Sequence, residues 1–192
     1  MKSLCVYCSS SDRLDAKYFA AATAVGREIA HRHWALVYGG GKTGLMGAVA
    51  RGVKAQGGHV VGIIPEFMKA KELEFTEADE LISVLTMRER KMLMETRADA
   101  FLALPGGWGT LEEVLEILTL AHLEVLHKPV VLLNQDGYYD DLLRLFERIV
   151  AEKFMHATIR GKFAVARTVE EVFPLIQGWQ HQPGDAKWFQ TK

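Results

Sequence analysis

Cysteine is scarce in this chain: among 192 residues there are two, Cys5 and Cys8. That excludes a disulfide-stapled scaffold, and two thiols alone make no zinc site. Their C-x-x-C spacing is that of a redox pair. In an extended run, however, positions 5 and 8 face opposite sides of the sheet, and no helix starts directly behind them to lower a thiol pKa. A buried strand followed by a polar loop is the expected structure. An excess of charge of one sign is also lacking, since 23 Lys and Arg against 24 Asp and Glu leave a formal net charge of −1. Without a long basic cluster, nucleic acid and anionic membranes are not expected partners, so any anionic ligand has to be met by local devices. Nothing approaches the roughly 18 uninterrupted apolar residues that span a bilayer. The run Leu4–Cys8 behind Met1-Lys2-Ser3 is too short for the apolar part of a secretory signal, which makes the cytoplasm the expected compartment. There is no internal repeat and no Pro/Ser-rich linker.

What is present is a steady alternation of short apolar, β-branched runs with longer helical patterns. Strands are expected at Ser3–Cys8, Ala35–Tyr38, His59–Ile64, Leu81–Leu85, Ala100–Leu104, Pro129–Leu133 and, at an edge, Phe163–Ala166. Helices are expected at Asp15–His31, Leu45–Ala55, Met87–Thr96, Leu111–Leu126, Tyr139–Glu152 and Val169–Gly178. Strands that are apolar throughout, separated by helices, call for a mostly parallel sheet covered on both faces. The expected fold is therefore α/β, doubly wound and Rossmann-like, with ligands at the carboxyl ends of the strands. Residues 1–178 read as one domain and residues 179–192 as a loosely held tail.

Two glycine loops stand at strand ends. The first, Gly39-Gly40-Gly41-Lys42-Thr43-Gly44, follows a strand and opens a helix, a position where backbone N–H groups approach a phosphate. It is not a Walker A loop, because Leu36 stands where that motif needs glycine. Gly39, Gly41 and Gly44 do match G-x-G-x-x-G, and with Glu66 as a ribose ligand a dinucleotide site stays open. The loop follows the second strand, however, where the fingerprint belongs after the first of its unit. Six glycines between 39 and 52 exceed what a tight turn needs, and contact of Gly39, Gly40, Gly41 and Gly44 with phosphate or ribose is expected.

The second loop is Pro105-Gly106-Gly107-Trp108-Gly109-Thr110-Leu111-Glu112-Glu113. Thr110 and Glu113 have the T-x-x-E spacing of a capping box, with Thr110 launching the helix. The same placement would hold a carboxylate beside an anion cradle, which suits chemistry that develops positive charge on a sugar ring. By spacing alone, Arg90 reads as a surface helix charge beside Glu89 or Glu95. The seven histidines include no H-E-x-x-H, and His31-Arg32-His33 reads as a solvated helix end.

The stretch P-G-G-x-G-T-x-x-E at Pro105–Glu113, with Arg90-Lys91 upstream, resembles the LOG family of cytokinin riboside 5′-monophosphate phosphoribohydrolases, often mislabelled lysine decarboxylases. The similarity covers residues 2–178 and takes in Gly39-Gly40-Gly41-x-x-Gly44-Leu45-Met46-Gly47 and Asn134-x-x-Gly137-Tyr138-Tyr139. It implies hydrolysis of the N-glycosidic bond of a nucleoside 5′-monophosphate, with Arg90 and Glu113 as catalytic residues. Lys91, Gly107, Trp108, Gly109, Thr110, Leu111 and Glu112 fall in the nucleotide-binding stretch, and Thr119 and Glu72 at further substrate contacts. Around Glu72 the local sequence departs from the family's. Trp108 stands where many plant members have Tyr. The resemblance implies neither cofactor nor metal, and nothing marks the Schiff-base lysine that a pyridoxal-dependent decarboxylase needs. Unmodified AMP as substrate, and a nucleotide-binding sensor or carrier without turnover, are the competing readings. Within Leu111–Leu126, the positions Leu111, Val114, Leu115 and Leu118 are expected to face the core. Ile117, Leu120, Leu123 and Val125 make the helix apolar on a second side, as in a homodimer interface.

Overall fold

The computed structural model describes residues 1–69, 71 and 73–183. Seven strands alternate with helices: β1 Ser3–Tyr7, α1 Ala16–His31, β2 Ala35–Tyr38, α2 Gly44–Lys54, β3 His59–Pro65, α3 Glu66–Lys69, β4 Glu80–Val84, α4 Met87–Arg97, β5 Ala100–Ala103, α5 Trp108–His122, β6 Val130–Leu133, α6 Asp140–Ala151, β7 Ala164–Ala166 and α7 Val169–Gln177. All six strand pairings are parallel. The strand order β4-β3-β2-β1-β5-β6-β7 places β7 at an edge, as expected. The chain winds outward from β1 to β4, then returns to the other side of β1 for β5, β6 and β7. The seam between β1 and β5, in register at Leu4–Ala100 and Val6–Leu102, is the topological switch point.

Residues along β1 alternate between two cores, one on each face of the sheet. Leu4, Val6 and Cys8 pack with α1, α2 and α7, while Cys5 and Tyr7 pack on the opposite face with α4 and α5. The two cysteines therefore diverge as the strand period requires, and burial raises both thiol pKa values well above their ordinary value. Neither forms a thiolate for redox chemistry.

Helices α1 and α2 cross in close contact because glycines meet there. A β-carbon on Gly26 would lie 2.3 Å from the Val49 carbonyl oxygen, and one on Gly52 would lie 2.5 Å from that of Thr23. Part of the glycine excess in residues 39–52 thus serves helix packing.

Two helix starts differ from expectation. Helix α5 begins at Trp108 with Gly107 as its N-cap, and no side chain caps it. Thr110 and Glu113 are therefore no capping box, because a three-glycine approach lets the helix start before Thr110. The capping box is on α4: Thr86 Oγ1 accepts from the Glu89 N–H at 3.1 Å, and Glu89 Oε2 accepts from the Thr86 N–H at 3.1 Å. The four-residue helix α3 was not expected at all.

Candidate active site

A cavity of about 320 Å³ opens where the β1 and β5 strands end, at the switch point. Its volume sits at the lower end of the roughly 300–1,000 Å³ usual for small-molecule sites. The loop after β1 supplies Cys8, Ser9, Ser10 and Ser11, and the start of α5 supplies Gly107, Trp108, Gly109, Thr110, Glu112 and Glu113. Arg90 and three methionines, Met46, Met68 and Met87, complete the wall. A larger groove of about 720 Å³ lies between α6 and the Ala157–Gly161 turn. Leu143, Phe146, Ile159 and Phe163 dominate it, and it is away from every strand end that carries reactive groups, so the smaller cavity is the candidate.

Arg90 is not a surface charge. It is 6% exposed, and its guanidinium is fixed by two backbone carbonyls. Nε donates to Ile63 O at 3.1 Å, and Nη2 donates to Gly39 O at 2.9 Å. Helix α4 lies against β1, β2 and β3, and this position buries Arg90 and Met94 while the other positions are half-buried or exposed. The remaining nitrogen, Nη1, pairs with Glu113 Oε1 at 3.7 Å.

Glu113, 9% exposed, projects from the second turn of α5. Burial raises its pKa to about 7, against the pull of Arg90, with Glu112 adding to the rise. A carboxyl group so tuned exchanges a proton near neutral pH. The first turn of α5 provides the complementary device. With no capping side chain, its N–H groups have no partner within the helix, and the helix dipole adds positive potential. Positions 107 and 109 face open space, so a ligand atom can come up to the backbone there. Thr110 is buried against Gly106. Trp108, 90% exposed, stands on the rim.

Behind this loop the Asn134–Tyr139 segment acts as a brace. Asn134 Oδ1 accepts from the Tyr139 N–H, and Asn134 Nδ2 donates to Asp140 Oδ1, both at 2.7 Å. The Tyr139 hydroxyl donates to Leu104 O at 2.6 Å, and the Tyr138 hydroxyl donates to Gly106 O at 2.7 Å. The two tyrosines thus hold the carbonyls on either side of Pro105.

Among the expected residues, Arg90, Gly107, Trp108, Gly109, Thr110, Glu112 and Glu113 come together around the cavity. Lys91 does not line it. Its ammonium pairs with Glu112 and, at 3.0 Å, with Glu116. Leu111 packs partly buried against the core. Thr119 is exposed on α5 and donates to Leu115 O at 2.7 Å. Glu72 lies outside the described residues.

Gly39, Gly40, Gly41 and Gly44 are not among the cavity-lining residues. The N–H groups of Lys42, Gly44 and Leu45 are already bonded to Leu73 O, Asp12 Oδ1 and Ser9 O. Glu66 is exposed and likewise away from the cavity. The lining residues that sequence reasoning did not single out for the site are Met46, Met68 and Met87, together with Cys8 and the serines Ser9, Ser10 and Ser11 of the loop after β1. The signal of the serines was positional: a hydroxyl-rich loop directly after the first, central strand.

On α5 the core positions are Val114, Ile117, Leu118 and Ala121, whereas Leu115 and, beyond the helix, Leu123 and Val125 are exposed. Leu115 and Ile117 thus exchange their expected places, because the stripe that packs against the sheet runs at i, i+3 and i+7 through Val114, Ile117 and Ala121.

A doubly wound parallel sheet with an uncapped helix start and a buried Arg–Glu pair beside a cavity at its switch point defines an α/β protein with a small-molecule site at its strand ends. Comparison with known proteins narrows this further. The family model described as "Possible lysine decarboxylase" matches residues 46–176. The probable cytokinin riboside 5′-monophosphate phosphoribohydrolase LOGL5 of Oryza sativa subsp. japonica is 43% identical, over 96% of this chain and 75% of the relative. The cytokinin riboside 5′-monophosphate phosphoribohydrolase LOG3 of Arabidopsis thaliana is 44% identical, over 92% of this chain and 82% of the relative. Among solved structures, TM1055 superposes with a TM-score of 0.72 at 26% identity, covering 92% of this chain and 99% of that one. The molybdenum cofactor carrier protein of Chlamydomonas reinhardtii reaches a TM-score of 0.71 at 22% identity, covering 92% and 96%, a likeness of fold. The chain belongs to the LOG family.

Proposed function

We propose that this protein hydrolyses the N-glycosidic bond of adenosine 5′-monophosphates, N6-substituted ones above all, releasing free base and ribose 5-phosphate. One observation carries the reading: the Arg90–Glu113 pair is buried beside the uncapped start of α5, so that a sugar phosphate held there by its anion brings its ring to a carboxylate. The N–H groups of Gly107, Gly109 and Thr110 bind the 5′-phosphate. Water attacks C1′ and the bond from C1′ to the base nitrogen breaks. Glu113 takes the proton from that water, stabilises the positive charge on the ring and returns the proton to the leaving base. Arg90 orients Glu113, and its planar fork of donors, already engaged on two carbonyls, is not reproduced by lysine. Met46, Met68 and Met87 offer an adaptable apolar wall for a substituent on N6. In this reading the first glycine loop serves the site by housing Arg90. Lysine decarboxylation finds no support, for no lysine lines the cavity among the described residues.

The working assembly in this proposal is a cytoplasmic homodimer of one domain, residues 1–178, joined through the exposed stripe Leu115, Thr119 and Leu123 of α5. Thr119 then contacts substrate held by the second copy. No helix among the described residues is long and apolar enough to cross a bilayer.

Chromatography of the purified protein incubated with AMP and with N6-isopentenyl-AMP, beside a Glu113→Ala control, tests the reading. Base and ribose 5-phosphate from the wild type alone are expected, with the N6-substituted nucleotide the faster. Faster release from AMP replaces the substrate preference with general nucleotide hydrolysis. Binding without release from either would overturn the hydrolase in favour of a nucleotide carrier.

A further inference from the structure

The loop that leaves α5 and the chain that leaves α7 meet at the opposite end of α5 from the cavity. Glu124 adopts the left-handed backbone, φ 57°, just beyond the end of that helix. This is the position that glycine usually takes, so a side chain kept there suggests a use for it. Its carboxylate is firmly placed. Lys162, 3% exposed, pairs with Glu124 Oε1, and the same ammonium donates to the Gln182 carbonyl at 2.7 Å. The buried lysine thereby brings the segment around His181 against the α5 end. On the other carboxylate oxygen, Oε2, two imidazoles converge: His127 Nε2 at 3.4 Å and His181 Nε2 at 3.0 Å. The two rings lie 4.3 Å apart between centroids, and the three donor atoms all fall within 4.8 Å of one another.

We infer that Glu124, His127 and His181 form a binding site for a late first-row divalent cation, with Zn²⁺ the best match, which clips the chain after α7 to the loop after α5. Zinc bonds to nitrogen and oxygen are about 2.0–2.2 Å long, so neighbouring donors of a tetrahedron stand roughly 3.3 Å apart. The separations of 3.0 and 3.4 Å from Oε2 fit that edge with only small adjustment. Two imidazoles and one carboxylate suit Zn²⁺, Co²⁺, Ni²⁺ or Cu²⁺, whereas Mg²⁺ and Ca²⁺ favour all-oxygen shells. The fourth position is left to water, since both histidines are exposed. Lys162 on Oε1 is the outer partner that orients the carboxylate and also draws off part of its charge, which sets the site at moderate affinity. The site lies roughly 16 Å along α5 from Glu113, at 1.5 Å per helical residue, and touches none of the cavity-lining residues.

The test uses the full chain without a histidine tag, stripped with chelator and titrated with Zn²⁺ by calorimetry. In parallel, Co²⁺ reports four-coordination by its visible absorption. One saturable Zn²⁺ per chain is expected. His127→Ala and His181→Ala should each weaken binding by more than the roughly 10–100-fold that loss of an outer partner costs. Nucleotide binding at the cavity should be the same in both variants and in the metal-free protein, which separates this site from the cavity. Absence of saturable binding, or binding of full affinity in either variant, overturns the site.

Discussion

The guanidinium of Arg90 occupies the space that a side chain at Gly39 would need: a β-carbon there would lie 1.7 Å from Nη2. The two residues are 51 positions apart, yet the second cannot carry a side chain without expelling the first. Gly39→Ala is therefore expected to lower kcat on nucleotide by about 100-fold, the order of loss that misplacing a positioned group causes. Circular dichroism should show the sheet intact. Wild-type kcat in the Gly39→Ala protein would break the link between the first glycine loop and the site.

Glu113→Gln separates chemistry from stability. Removing a general acid–base group should cost about 10²–10⁴-fold in kcat. Stability moves the other way. The carboxyl of Glu113 titrates at about 7 in the fold against 4.5 ordinarily. Its contribution is present below pH 4.5 and is lost as the pH rises through 7, where the fold must hold a buried charge. Glutamine escapes that cost, so the variant's stability relative to wild type should climb by up to about 3 kcal/mol between pH 4.5 and 7 and then level off. Urea unfolding at pH 5 and pH 8 reads this directly, and an equal difference at both would contradict the raised pKa.

The tyrosine brace predicts two unlike phenotypes. Tyr139, buried and bonded to Leu104 O, should cost about 1–3 kcal/mol on replacement by Phe, because a buried carbonyl loses its donor. Tyr138 is 44% exposed, so Tyr138→Phe should leave stability nearly unchanged. Its hydrogen bond to Gly106 steadies the loop ahead of α5, and a several-fold rise in KM is the expected readout if that loop holds the substrate as proposed.

A double substitution, Leu115→Glu with Leu123→Glu, places two charges on the exposed stripe of α5. If α5 forms the proposed interface, sedimentation is expected to give dimers for the wild type and monomers for the variant, with activity falling as Thr119 leaves the neighbouring site. An unaltered dimer would move the interface elsewhere.

Fold and site were legible in the sequence to different degrees, and the physics explains the difference. Continuous apolar runs such as Val130–Leu133 declare a strand buried on both faces, and the βα alternation declares its parallel neighbours. Helix starts were harder. A T-x-x-E motif occurs at both Thr86 and Thr110, and only the first caps a helix, because glycines ahead of the second let α5 begin sooner. Arg90 was least legible. Nothing in Met87–Arg97 distinguishes it from the other charges of a hydrophilic helix, since the two carbonyls that hold it belong to strand β3 and to the glycine loop after β2, 27 and 51 positions away. The family resemblance pointed to it, and the structure shows it buried and paired with Glu113. The glycines of the first loop stand close to neighbouring atoms and are not among the cavity-lining residues.

Arg90 and Glu113 flank a single strand, one on the helix before β5 and the other on the helix after it. The gap between their charges is therefore set by a fixed count of intervening residues. Each residue added to or removed from 98–107 shifts one partner by about 3.3 Å along the strand, nearly the whole 3.7 Å that separates them. Insertions and deletions should thus be tolerated in the surface turn at Gln56–Gly58 and rejected between Arg97 and Trp108, so that length, as much as residue type, is under constraint there.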